Sequence, residues 1–181
     1  LDEIDVNDLA TFDIEYIFTQ LRAKSVGEVI ELLFPCDEDH GEDQDKAKLK
    51  ISIDISKLEV EVPPGHSKKI ELFEDVGVIM KYPSFAVMGK MENLDMSNVD
   101  NIFDIIASCI DMIYQGEDLY YAKEQSKEEL LEFLYNLTNE QFLKLQAFFS
   151  KMPKISKTVE YNCPLCGKHH SVTLEGMQSF F

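Results

Sequence analysis

The residues best equipped for chemistry are Cys163-Pro164-Leu165-Cys166-Gly167, followed by Lys168, His169 and His170. A Cys-x-x-Cys pair with proline and glycine in its turn aims two thiolates at one metal ion, and residues 157–162 and 171–175 on either side have the composition of hairpin arms. That is half of a zinc-ribbon site, since a structural zinc takes four ligands. Cys36 and His40 are candidates for the other half. Residues 29–36, a polar loop and residues 48–54 repeat the order strand, cysteine, polar loop, strand found at 159–175. If the two hairpins lie side by side, Cys36, His40, Cys163 and Cys166 complete a Cys3His site for structural zinc. Two alternatives stand beside this one. His169 or His170 supplies the third ligand, although strand alternation lets only one of the two point inward. Otherwise the turn is metal-free, and its proline and glycine do all the structural work.

Other candidates are weaker. His66 follows Pro63-Pro64-Gly65 and precedes Ser67-Lys68-Lys69, which reads as a solvent-facing loop histidine. Cys109 shares an apolar run with Ile106 and Ile113, where a cysteine acts as a small core residue. The chain has no Gly-rich phosphate loop, no Gly-x-Ser-x-Gly and no His-Glu-x-x-His. The acidic run at 37–45 lacks the alternate carboxylates and closing glutamate of a calcium loop, so it reads as a solvated turn. No catalytic residue and no organic cofactor site is assigned. A metal-dependent hydrolase would need an open coordination position with a base beside it, and no residue offers itself as that base.

Composition narrows the function classes further. The 181 residues carry 34 acidic and 17 basic side chains, for a net charge of −17. Such a charge repels phosphate backbones, so a zinc-ribbon regulator that binds nucleic acid is disfavoured; a zinc-ribbon adaptor that binds proteins is the surviving alternative of that class. At 45% hydrophobic residues the chain can fill a core. Four irregularly spaced cysteines suit a reducing compartment better than a disulfide framework. No apolar stretch is long enough for a membrane span, and no small-molecule substrate is suggested. The chain starts at Leu1 and not at Met, which points to a preceding region.

The elements that must position the cysteines read as a single α+β domain over 1–181. Residues 1–24 hold an N-terminal helix with Phe12, Tyr16, Ile17, Phe18 and Leu21 at helical spacing. Residues 25–83 form an antiparallel β region, with strict alternation at Leu49, Ile51, Ile53 and Ile55 continuing to Val62 in a long half-exposed strand with room for a bend near Lys57, and with Val76–Met80 buried on both faces. Residues 84–152 are a bundle of three to four helices. A central one, capped by Ser97 or Asn98, carries Val99, Ile102, Phe103, Ile106, Cys109, Ile110 and Ile113 to a stop near Gly116. Ser126–Glu129 and Thr138–Gln141 are capping boxes that open two further helices. Residues 153–181 are the zinc-ribbon-like β-hairpin and tail. Tyr120-Tyr121 and Phe148-Phe149 read as core residues on helices, while Phe180-Phe181 dock onto a partner or back onto the first helix.

Longer strings carry a resemblance. Residues 11–28, Thr-Phe-Asp-Ile-Glu-Tyr-Ile-Phe-Thr-Gln-Leu-Arg-Ala-Lys-Ser-Val-Gly-Glu, and the ending from Leu143 through Phe148-Phe149 and Met152-Pro153 to Val172 and Phe181, resemble the baseplate hub assembly protein family of T-even-like tailed bacteriophages. Lys-Ile-Ser-Ile-Asp at 50–54 and Val-Ile-Met-Lys-Tyr-Pro at 78–83 fit the same family, so the similarity spans nearly the whole chain. The resemblance implies a non-enzymatic role in building the hub of the contractile-tail baseplate. The protein would be a hub subunit, or an assembly factor that leaves no copy in the virion, and its partners would be other hub or tail assembly proteins. Its places of action would be the host cytoplasm and, for a subunit, the tail baseplate. Family members usually carry a further N-terminal region. The family has no catalytic residues to carry over, and its pattern does not require cysteines in the final turn, so zinc would be a local reinforcement.

Overall fold

The computed structural model describes residues 5–91, 95 and 98–181. In chain order they form α1 (Thr11–Ser25), β1 (Val29–Phe34), β2 (Leu49–Asp54), β3 (Val60–Glu61), β4 (Lys69–Phe73), β5 (Val76–Met80), α2 (Phe85–Met91), α3 (Val99–Ser108), β6 (Ile110–Gln115), β7 (Asp118–Tyr121), α4 (Lys127–Tyr135), α5 (Asn139–Ser150), β8 (Lys154–Asn162) and β9 (His169–Glu175). All strand pairs are antiparallel, in sheets of two, three and four strands, so the fold is α+β with small sheets. The contacts divide it into two compact units, Leu1–Thr11 with Val62–Met152, and Phe12–Glu61 with Pro153–Phe181.

The first unit is built on the sheet β4-β5-β6-β7. β5 lacks polar alternation and exposes none of its residues: Gly77, Val78 and Met80 are buried, and Val76 and Ile79 are half-buried. Helices α3, α4 and α5 supply Ile106, Leu130, Leu134, Leu145 and Phe148 to the same core as Leu72, Val78 and Ile110. Each helix starts where a side-chain oxygen satisfies a free amide. Asn98 accepts from Asp100 at 2.9 Å, while Ser126 with Glu129 and Thr138 with Gln141 close reciprocal capping boxes. Ser97, the other cap candidate, lies outside the described residues.

Three expectations need correction in this unit. The central helix ends at Ser108, and Ile110–Gln115 is strand β6. An apolar run supports either period, and here pairing to β5 on one side and β7 on the other outweighs the helical pattern. Tyr120 and Tyr121 sit on β7, the edge strand of the sheet, and are exposed and not core residues on a helix. His66 is half-buried and not solvent-facing. Its Nε2 lies 2.8 Å from the Tyr82 hydroxyl, and its ring packs against Tyr82 and Phe148 with centroids 5.6 and 5.3 Å away.

The second unit holds the candidate site. β1 and β2 pair from Val29↔Asp54 to Phe34↔Leu49, and β8 and β9 form a long hairpin from Ser156↔Glu175 to Asn162↔His169, with β3 along the far side of β8. The alternating run from Leu49 does not stay one strand: a 3-10 turn at Ile55–Lys57, capped by Asp54, separates β2 from β3, which pairs elsewhere. Ile53, Ile55, Leu58, Ile155, Val159 and Phe180 meet Ala23 and Phe34 in one core. Helix α1 stands where its spacing placed it, but it buries the small residues Thr19 and Ala23, and Ile17, Phe18 and Leu21 are exposed. The terminal pair turns back: Phe180 is 1% exposed, and Phe181 meets Phe18 of α1 edge-on at 5.7 Å.

Candidate metal centre

The β8–β9 turn is set by its backbone. Cys163 N–H donates to the Lys168 carbonyl at 2.8 Å and Gly167 N–H to the Cys163 carbonyl at 3.0 Å. Gly167 has φ of 72°, a left-handed conformation in which a side chain is strained. Within this knuckle Leu165 N–H donates to Cys163 Sγ at 3.4 Å. The facing loop repeats the arrangement: just past the end of β1, Glu38 N–H donates to Cys36 Sγ at 3.5 Å. The acidic stretch then winds into a 3-10 turn at Gly41–Ala47.

Two side chains that sequence reasoning passed over hold the loop in place. Gln44 accepts from His40 N–H at 2.8 Å and donates to the Cys36 carbonyl at 3.2 Å, tying both candidate ligands to one amide. Tyr161 of β8 donates its hydroxyl to the Pro35 carbonyl at 2.7 Å and packs against Phe34. No side-chain pattern in the sequence signals Gln44, because both of its partners here are backbone groups. Lys168 bridges the two loops with Nζ 3.0 Å from Asp37 and 2.5 Å from Glu38, which raises the lysine's pKa and lowers that of Asp37.

These elements bring all four predicted side chains together. Cys36 Sγ lies 3.8 Å from Cys166 Sγ, Cys163 Sγ lies 3.6 Å from His40 Nε2, and the four ligand atoms all fall within 4.8 Å of one another. Cys36 and Cys163 are buried with Ala47, His40 is half-buried and Cys166 is exposed. The two buried thiols titrate apart. Burial, together with the neighbouring thiols, pushes Cys36 up to about 11. Burial also opposes ionisation of Cys163, but the amides of Cys166 and Leu165 and the adjoining thiols outweigh it and pull that group down to about 6.

Of the two other histidines, His169 faces solvent and pairs with Asn162, while His170 turns in, as alternation requires. The His170 ring stacks on Tyr161 with centroids 5.0 Å apart, and its Nδ1 is 3.6 Å from Asp37. Cys36, Asp37 and His170 thus form a second convergent group with only one thiol. Cys109, in the other unit, is fully buried and its thiol is pushed up by burial, as a core residue's would be. Among the described residues no helix is long and apolar enough to cross a membrane.

Fold and site together define a small α+β protein with a zinc-ribbon-like hairpin, whose Cys/His cluster could hold a metal ion. Its class is set by the rest of the chain as much as by that cluster. The chain belongs to the T4 bacteriophage base plate protein family, whose model matches residues 1–181. It is therefore a phage baseplate protein, working among other phage structural proteins. No curated protein and no solved structure matches it.

Proposed function

We propose that this chain is a non-enzymatic protein of baseplate hub assembly, acting as an assembly factor or as a hub subunit. The observation that carries the proposal is the family match over residues 1–181, to which the hub-like strings at 11–28 and 143–181 add the finer role. The cofactor that suits such a role is structural zinc in the Cys/His cluster, bracing two loops and reacting with nothing. A net charge of −17 favours basic protein partners over nucleic acid and discourages self-association. Its partners are other hub or tail assembly proteins, met in the host cytoplasm.

Co-expression with the hub proteins of the same phage tests this. The expected result is a complex that survives affinity purification and gel filtration; elution of the chain alone in every pairing would refute it. Mass spectrometry of purified virions then separates the two forms of the role, a subunit being present at hub stoichiometry and an assembly factor absent.

A further inference from the structure

We propose that Cys36, His40, Cys163 and Cys166 bind one zinc ion in a closed tetrahedral site that clasps the loop after β1 to the β8–β9 knuckle. The inference rests on the reading of the cluster as structural, and it is tested on the purified chain, so it can fail while the baseplate role stands.

The spacing of the ligand atoms is the first ground. With Zn–S near 2.3 Å and Zn–N near 2.0–2.1 Å, a tetrahedron has sulfur–sulfur edges of about 3.8 Å and sulfur–nitrogen edges of about 3.5–3.6 Å. Cys36 to Cys166 measures 3.8 Å and Cys163 to His40 measures 3.6 Å. These are two opposite edges of the figure, since they share no atom, and each joins the β1 loop to the knuckle. The remaining pairs fall within 4.8 Å, so a small contraction onto a central ion completes the polyhedron. A disulfide is a different geometry, with sulfurs about 2.05 Å apart.

The second ground is what the backbone offers the sulfurs. Cys36 and Cys163 each face the amide N–H two residues ahead, from Glu38 at 3.5 Å and Leu165 at 3.4 Å. A neutral thiol is a weak acceptor and gains little from such a donor, whereas a metal-bound thiolate gains a charge-assisted bond. Two loops far apart in sequence carry the same device at the same offset, and the device makes sense around thiolates.

Ligand type selects the ion, and ligand number selects its use. Three thiolates and one imidazole in a tetrahedral set favour zinc over the harder divalent cations. Four protein ligands leave no position for water or substrate, which is the property of a structural site. Three thiolates on a divalent ion leave one negative charge, held between two loops that Lys168 of the knuckle already bridges through Asp37 and Glu38. His170, stacked on Tyr161 and facing Asp37, belongs to the surroundings of Cys36 and not to the set itself.

The test is made on protein purified without oxygen, reconstituted with zinc, and then exchanged with cobalt(II). One zinc per chain is expected, and the cobalt form should show the visible bands of a tetrahedral ion with an intense thiolate charge-transfer band. In competition with a chelating dye, Cys36→Ser, Cys163→Ser, Cys166→Ser and His40→Ala should each weaken binding by more than about 100-fold, beyond what loss of a supporting residue costs. Cys109→Ser and His169→Ala should leave it unchanged, and His170→Ala should cost no more than the roughly 10–100-fold of a supporting residue. A wild-type chain that takes up no zinc and gives no tetrahedral cobalt spectrum overturns the proposal, with no variant involved. Loss of the cobalt spectrum on His170→Ala but not on His40→Ala overturns the ligand assignment.

Discussion

Replacing Phe180 with alanine removes a ring that is 1% exposed and packs in the core of the second unit with Ala23, Phe34, Ile55 and Ile155. Its neighbours there are strand and helix residues fixed by their own ladders, so the cavity cannot collapse cheaply. The expected cost is about 3–5 kcal/mol, the range for a core phenylalanine cut to alanine. Phe181 is the control, one residue further on. It is 51% exposed, and its contacts are the edge-on ring of Phe18 at 5.7 Å and the Arg22 guanidinium at 5.8 Å. An aromatic pair of this kind contributes about 0.5–1.5 kcal/mol, and an exposed cation–π contact about 0.5–1 kcal/mol. Phe181→Ala should therefore cost clearly less than Phe180→Ala. Urea unfolding read by hydrogen exchange in β8 and β9 reports on the correct unit, which matters in a chain without tryptophan. A Phe180→Ala loss below about 1 kcal/mol, no larger than a typical point substitution, or equal losses at the two positions, would refute the docking of the terminus into this core.

Gly77→Ala should destabilise the first unit by about 1–3 kcal/mol. A Cβ there would lie 2.4 Å from the Ile70 carbonyl and 2.2 Å from the Tyr114 hydroxyl, and the carbonyl cannot yield without disturbing the β4–β5 pairing; an unchanged melting temperature would contradict this. Ser126→Ala and Thr138→Ala should each cost about 1 kcal/mol by removing a cap, read as a fall in the urea midpoint at constant slope. His66 gives a pH signature. Burial, with Lys68 as a smaller cause, lowers its pKa, so the folded state takes up the proton less readily than the unfolded chain. The stability due to neutral His66 is complete above the ordinary imidazole range and is lost as pH falls through the lowered value. His66→Gln should flatten the fall in melting temperature between neutral pH and about pH 5, and an unaltered slope would exclude His66 as its source.

The features legible in the sequence are those whose physics is local. Ser126 with Glu129 and Thr138 with Gln141 meet within one helical turn, so the capping boxes are found where the letters place them. The knuckle is legible because Pro164 and Gly167 determine a turn whatever surrounds it. Placing Cys36 and His40 opposite it needed a longer-range inference from the repeated strand-cysteine-loop-strand order, and the structure brings those two side chains to Cys163 and Cys166. Other features depend on what packs where. Ile110 to Gln115 fits a helix by spacing and becomes strand β6 because β5 and β7 flank it. On α1 the large residues look like the buried face, yet the core admits Thr19 and Ala23, a choice visible only once Phe34 and Phe180 have filled the space. Gln44 escaped notice because its role is to join the backbone at His40 and Cys36, and no side-chain pattern records that.

The central claim is that the chain serves assembly of the baseplate hub. It is tested most directly in a phage whose copy of this gene carries an early stop codon, grown in a non-suppressing host and examined by electron microscopy of the lysate. The prediction is a lysate without complete baseplates or tails, with assembly restored when the intact chain is supplied from a plasmid. Normal baseplates and infectious particles in the absence of the chain would contradict it.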